Sequence, residues 1–148
     1  MSKYLIKNGT VVNEGTRQAA DILIENEFIS KIAPAGTIEA DAHTEVIDAT
    51  GKLIIPGMID DQVHFREPGL THKAEIATES AAAVAGGITT YMEMPNTVPQ
   101  ALTQELLQRK YDRAAEVSIA NYSFFMGASN DNLKEVLKTN AKDVCGIK

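Results

Sequence analysis

An α/β fold, in which parallel strands alternate with helices after a small β-rich module, is predicted by three features of the 148-residue sequence. Residues 4 to 55 carry short runs that alternate apolar and polar with period two, the signature of half-buried strands. From Pro56-Gly57 onward, strand-like apolar runs alternate with amphipathic helical ones, and no hairpin signal separates the later strands. Strands joined through helices need crossover connections and therefore run parallel. Composition fits a soluble globular chain: 14 Lys plus Arg against 20 Asp plus Glu, a net charge of -6 and 44% apolar residues. The acidic balance argues against a surface that grips nucleic-acid phosphates. A membrane span needs about 20 apolar residues, and the longest small or apolar run, Ala81 to Ile88, is far shorter and holds two glycines. The N-terminus lacks the apolar core of a secretory leader, so a cytoplasmic location is expected. Cys145 stands alone, which excludes an internal disulfide and a cysteine-rich zinc site, so any metal must be held by His, carboxylate or a less usual ligand.

Taken in order, the first strands are expected at Tyr4 to Lys7, Thr10 to Asn13, Asp21 to Glu25 and Phe28 to Ile32, with another from Glu45 to Ile55 broken at Thr50-Gly51. Asn8-Gly9 reads as a hairpin turn, because both residues tolerate positive φ. Met58 to Phe65 is the next strand, followed by a helix from about Ala74 to Ala85. In that helix Ile76, Ser80, Ala83 and Val84 share a face, and Gly86-Gly87 supplies the stop. Ile88 to Met94 is a strand. Thr103 caps a helix to about Ala115 with Leu106, Leu107 and Tyr111 inward. Val117 to Met126 is the third parallel strand, Asp131 to Lys138 the third helix, and Val144 to Ile147 opens a fourth strand. A strand ending at Lys148 would leave backbone groups unpaired in mid-sheet, and an eight-stranded βα barrel needs about 250 residues. The sequence therefore reads as a truncated first half: 1-55 a small β-sandwich-like domain, 56-148 the first three and a half βα units of a barrel.

The chemistry gathers at strand ends. On a strand through Ile59 to Arg66, period two places Asp60, Gln62, His64 and Arg66 on one side. Such a polar row is costly unless it meets partners or ligands. In parallel βα proteins the C-terminal strand ends collect active sites. Asn96 follows the strand stop at Pro95, and Lys148 ends an apolar strand, where a buried lysine shifts its pKa or is chemically used. Bland readings compete at each position: an ion pair with Glu67 or Asp61 for Arg66, a loop cap for Asn96, simple packing for Gln62 and a terminal surface residue for Lys148. Asp60 is the residue to orient its neighbours from behind, His43 and His72 read as solvated, Cys145 as a small buried strand residue, and Met92 and Met94 as core.

At these residues the sequence resembles the cyclic amidohydrolases, and among them the dihydroorotase family. Pro56-Gly57 followed by Asp60, Gln62 and His64 is similar to that family's entry into its metal-binding barrel. His64-Phe65-Arg66-Glu67-Pro68-Gly69 looks like the dihydroorotase form, as does Met94-Pro95-Asn96-Thr97, and Gly146-Ile147-Lys148 matches the strand whose lysine is carboxylated in many members. The resemblance implies a metal-dependent (β/α)8 amidohydrolase barrel and a zinc hydrolase of pyrimidine biosynthesis that interconverts L-dihydroorotate and N-carbamoyl-L-aspartate. It further implies one or two zinc ions held by His64, Lys148 and Gln62, a substrate carboxylate held by Arg66 and Asn96, and further histidine ligands and an acid/base aspartate beyond residue 148. Homo-oligomers and association with aspartate transcarbamoylase are the partners it implies. One departure stands out: Gln62 occupies the place of the motif's first histidine, and a neutral amide oxygen is a weaker zinc ligand than imidazole. The alternatives are a hydantoinase or allantoinase acting on another cyclic amide, or a catalytically impaired homologue kept as a scaffold.

Overall fold

In the computed structural model, which describes residues 2–148, the alternating N-terminal runs pair into one five-stranded sheet. Its strands are β1 (Lys3–Asn13), β2 (Thr16–Glu25), β3 (Phe28–Pro34), β4 (Glu45–Asp48) and β5 (Leu53–Ile54). β1 pairs antiparallel with β2 and β2 with β3, while β4 and β5 lie parallel to β1, one after the other along its free edge. The hairpin turn falls at Glu14-Gly15, both at positive φ (47° and 74°), rather than at Asn8-Gly9. Asn8 does take positive φ (63°), but β1 runs straight through and the register slips between Ile6 and Gly9 as a bulge. The reason lies in packing: a Cβ on Gly9 would stand 2.4 Å from Ile54 Cδ1. The sandwich-like arrangement expected for this segment is corrected to a single sheet. Val11, Ala20 and Ile22 form its core with Ile6, Ile24 and Ile54, and the outer strand leaves Phe28, Ile29 and Ile32 exposed. Alternation marks one buried face per strand; it does not say whether a second sheet or something else covers that face.

The chain divides into two units, the second spanning Gly57–Lys148. Here β6 (Met58–Val63), β7 (Ile88–Glu93), β8 (Asn121–Met126) and β9 (Gly146–Ile147) form a parallel sheet in sequence order. The crossovers are made by α1 (Ile76–Ala85), α2 (Gln104–Val117) and α3 (Leu133–Val136). Among the described residues no helix is long and apolar enough to cross a membrane. α2 starts where its cap predicts, the Leu106 amide donating to Thr103 Oγ1 at 3.2 Å. Leu107, Lys110 and Ala114, spaced three and four apart, form its buried stripe. α1 buries Ile76 and Ser80 but exposes Val84, and its first amide donates to a carboxylate from the β6 loop, Ile76 N to Glu67 Oε2 at 2.8 Å. α3 is half the expected length. It starts after Asn132, whose backbone is outside the helical region and whose side chain accepts from Ser129 N and donates to Leu102 O and Gly127 O.

Phe65, Tyr91, Leu107, Ala114, Phe124 and Met126 form the core between sheet and helices. Phe65 and Tyr91 stack at 4.4 Å, and Tyr111 meets Phe124 edge-on at 4.9 Å. Burial pushes the Tyr91 phenol up from 10.0 to about 12. The folded protein therefore keeps this proton where the unfolded chain has lost it, so the contribution is intact below about pH 10 and is lost as pH rises towards 12. Urea midpoints measured at about pH 8 and about pH 11 should fall with pH, and Tyr91→Phe should flatten the slope.

The loops after β6 and β7 are knitted together: Met94 N donates to Val63 O at 3.0 Å and Val98 N to Pro68 O at 3.1 Å. Gly69 makes the approach possible, with φ of 81° and no room for a side chain, since a Cβ would lie 1.9 Å from Val98 O. Gly69→Ala combines left-handed strain with a backbone clash and is expected to cost more than about 2 kcal/mol, read as a lowered urea midpoint at unchanged slope.

Candidate active site

The strand ends of the second unit open into a cleft of about 370 Å³, whose polar lining comes from Gln62, His64, Asn96, Gln100 and Lys148. Gln62 and His64 face it together, two residues apart at the end of β6, as strand alternation requires. Asp60 lies behind them: its Oδ1 accepts from the Gln62 amide at 3.1 Å. Lys148 is fixed by its backbone, donating to Met126 O at 2.9 Å and accepting from Ala128 N at 2.8 Å, while its side chain lines the cleft.

His64 and Asn96 are in direct contact, Nδ1 to Oδ1 at 2.9 Å. An amide oxygen only accepts, so in this contact Nδ1 is the donor, and in the neutral ring that leaves the lone pair on Nε2. Asn96 thus spends its oxygen on the histidine, and among the described residues its Nδ2 makes no hydrogen bond. Donors of this kind suit a divalent metal in part. A ring nitrogen held in the right tautomer, an amide oxygen and an amine share one cleft, yet no group of three His, Cys, Asp or Glu occurs among the described residues.

Arg66 departs from the row predicted for it. β6 ends at Val63, and Arg66 has φ of 69°, so strand alternation no longer governs it and it is not among the residues that line the cleft. Of the two carboxylates weighed against substrate binding as its ion-pair partner, Glu67 is buried and accepts from Arg113 Nε at 2.7 Å as well as from Ile76 N, and Asp61 makes no ion pair among the described residues. Among the described residues Arg66 makes no ion pair. His43 and His72 are exposed, and Cys145 is half-buried, where burial pushes its thiol up.

A second pair joins residues that no sequence motif marks. Glu93, the last residue of β7, and Lys110 of α2 are both about 1% exposed, with Lys110 Nζ 2.6 Å from Glu93 Oε2. Lys110 also donates to Met94 O at 3.0 Å and lies 5.0 Å from the centre of the Phe124 ring. Among the described residues neither Glu93 oxygen has a hydrogen bond of regular geometry, and the Lys110 ammonium is the charge beside Oε2. Burial pushes the Glu93 carboxyl up and the Lys110 ammonium down, and each partner's charge pulls the other back. The signal available in the sequence was a charge between two methionines on a strand, and a lysine in register with Leu107 and Ala114.

Comparison with known proteins agrees with this architecture. A family model described as Dihydro-orotase-like matches residues 51–143. A dihydroorotase from Streptococcus pyogenes is 42% identical over 146 residues, 97% of this chain and 32% of that protein. One from Staphylococcus aureus is 45% identical over 122 residues, 80% of this chain and 28% of that protein. The structure of an L-hydantoinase (dihydropyrimidinase) from Arthrobacter aurescens superposes with a TM-score of 0.86 at 31% identity, over 99% of this chain and 32% of that one. The chain thus spans about a third of the length of the curated relatives it matches. Parallel strands in sequence order, a preceding sheet and a family match across most of the chain lead to one statement: the chain belongs to the dihydro-orotase-like family of cyclic amide hydrolases.

Proposed function

We propose that this chain supplies the substrate-anchoring side and part of the metal-holding side of a dihydroorotase, which interconverts L-dihydroorotate and N-carbamoyl-L-aspartate on a (β/α)8 barrel. The observation that carries the reading is the His64–Asn96 contact, which sets the histidine tautomer in a cleft shared with Gln62 and Lys148. The family is metal-dependent, and zinc is the metal proposed, held by His64 with Lys148 and Gln62. When bound, zinc polarises a ring carbonyl and makes hydroxide available near neutral pH.

The chain's own residues do the rest. Asn96 holds His64 through its oxygen and offers its Nδ2 to the substrate carboxylate. Arg66, which makes no ion pair among the described residues, presents a guanidinium that suits a carboxylate bidentately. Lys148 as an ammonium would repel a metal; as a carbamate formed with carbon dioxide it offers anionic oxygens instead. A hydantoinase reading has the superposed neighbour in its favour, but an uncharged ring gives Arg66 nothing to hold.

The test is ring-opening of L-dihydroorotate by the full-length protein carrying this sequence, stripped of metal and titrated with zinc. Turnover restored by zinc and saturating at one equivalent is the expected result, with Gln62 thinning the site. Saturation at two equivalents would show that glutamine serves at that position. Absence of turnover at any zinc level overturns the reading.

A further inference from the structure

We propose that Gln100 is a specificity residue that reads the amide edge of the substrate ring, its side-chain carbonyl accepting from a ring N–H while its NH2 donates to the adjacent ring C=O. The proposal rests on the reading of the cleft as the seat of a cyclic amide, and it adds a residue that neither holds metal nor pairs with the carboxylate. The loop after β7 gives Gln100 a fixed base. Pro95 and Pro99 have no amide hydrogen to offer, and their carbonyls are taken up within the loop. Ala101 N donates to Pro95 O at 3.0 Å, and Thr97 Oγ1 donates to Pro99 O at 2.9 Å. Leu102 N donates to Gln100 O and Gly127 N to Ala101 O, both at 2.8 Å. Thr97 and Ala101 are buried, whereas Gln100 is exposed and lines the cleft. Its side chain makes no hydrogen bond among the described residues, so an uncommitted amide stands on a backbone already tied down. A ligand meeting such a residue orders one side chain and not a whole loop.

The balance of donors and acceptors in the cleft leads to the same residue. A cyclic amide sets an N–H beside a C=O and so needs an acceptor as well as a donor. Asn96 has given its oxygen to His64 and keeps only Nδ2 to offer. Arg66 only donates. In the zinc reading the Gln62 oxygen, His64 Nε2 and Lys148 go to the metal. Among the described residues that line the cleft, Gln100 is then the remaining side chain with an acceptor and a donor both uncommitted. A primary amide meets a ring amide edge to edge, in two hydrogen bonds at once. The cleft, at about 370 Å³, lies within the size range of small-molecule sites.

The experiment compares Gln100→Met, which keeps the length and removes both polar atoms, and Gln100→Ala with wild type in the full-length protein carrying this sequence. Measured on each are KM and kcat for L-dihydroorotate, binding of dihydrouracil by competition, zinc affinity by calorimetry, and melting temperature. Dihydrouracil is the same ring without the carboxylate. KM is expected to rise about tenfold in both variants, by more than kcat falls, and dihydrouracil to weaken by the same factor. Zinc affinity and melting temperature are expected to stay at the wild-type values, because the side chain is exposed. Weakening of the carboxylate-bearing ring alone would make Gln100 part of the carboxylate anchor, and lowered zinc affinity would make it a metal ligand. Either result overturns the proposal, as does unchanged binding of both rings. Should wild type bind dihydrouracil but not L-dihydroorotate, the dihydroorotase reading falls, and the effect of the variants on the uncharged ring still decides the role of Gln100. Binding of neither ring overturns both.

Discussion

His64→Ala is expected to lower zinc affinity more than about a hundredfold, beyond the 10- to 100-fold typical of losing only a residue that orients a ligand. His64 brings the cleft its imidazole; the donors left there are the amides of Gln62, Asn96 and Gln100 and the Lys148 amine, all poorer for zinc unless the amine is carboxylated. The side chain is exposed, so folding should change by no more than about 0.5 kcal/mol and the loss will not be one of structure. Zinc titration by calorimetry reads the effect directly. Asn96→Ala should fall within the 10- to 100-fold range, since the ring loses the acceptor that fixes its tautomer at 2.9 Å. Asn96→Asp, which keeps an acceptor there, should recover most of the affinity. Equal zinc binding by wild type and His64→Ala would remove His64 from the metal site.

Arg66→Met is the second large effect. A paired, charge-assisted contact contributes about 1.5–3 kcal/mol, so KM for L-dihydroorotate should rise roughly 10- to 100-fold. Binding of the same ring lacking its carboxylate, followed by competition, should barely move. Methionine keeps the bulk of the side chain, and no ion pair is broken among the described residues, so stability should hold. Equal weakening for both rings would show that Arg66 shapes the loop and does not hold the carboxylate.

What could be read from the sequence was periodicity and the residues it places. The switch from alternation to βα rhythm after Pro56, the Thr103 cap and the four parallel strands are all found in the structure, as are Gln62, His64, Asn96 and Lys148 around one cleft. The misses share a cause, which is that local signals are reused by tertiary packing. Asn8-Gly9 has the backbone freedom of a turn, yet Ile54 presses on Gly9 and the freedom goes into a bulge. Arg66 continues the polar row in sequence, but its strand has ended and a left-handed residue takes it out of step. Glu93 and Lys110 are 17 residues apart on a strand and a helix, and no periodicity within either element reports that their charges meet. Asn132 stands just before α3, and its ties to Ser129, Gly127 and the distant Leu102 are not visible in any local pattern.

The end of β8 gives the cleft only backbone and small residues, Gly127 and Ala128. A Cβ on Gly127 would come 2.8 Å from Leu102 Cδ2 and 2.9 Å from Ala101 O, its amide is committed to Ala101 O, and the Ala128 amide is committed to Lys148 O. Two of the four parallel strands, β6 and β9, lead to Gln62, His64 and Lys148, the loop after β7 brings Asn96, and between them lies a bare step at Gly127 with no room for a side chain. Within this part of the site, side-chain variety is therefore left to the flanks, at Gln62, Asn96 and Gln100.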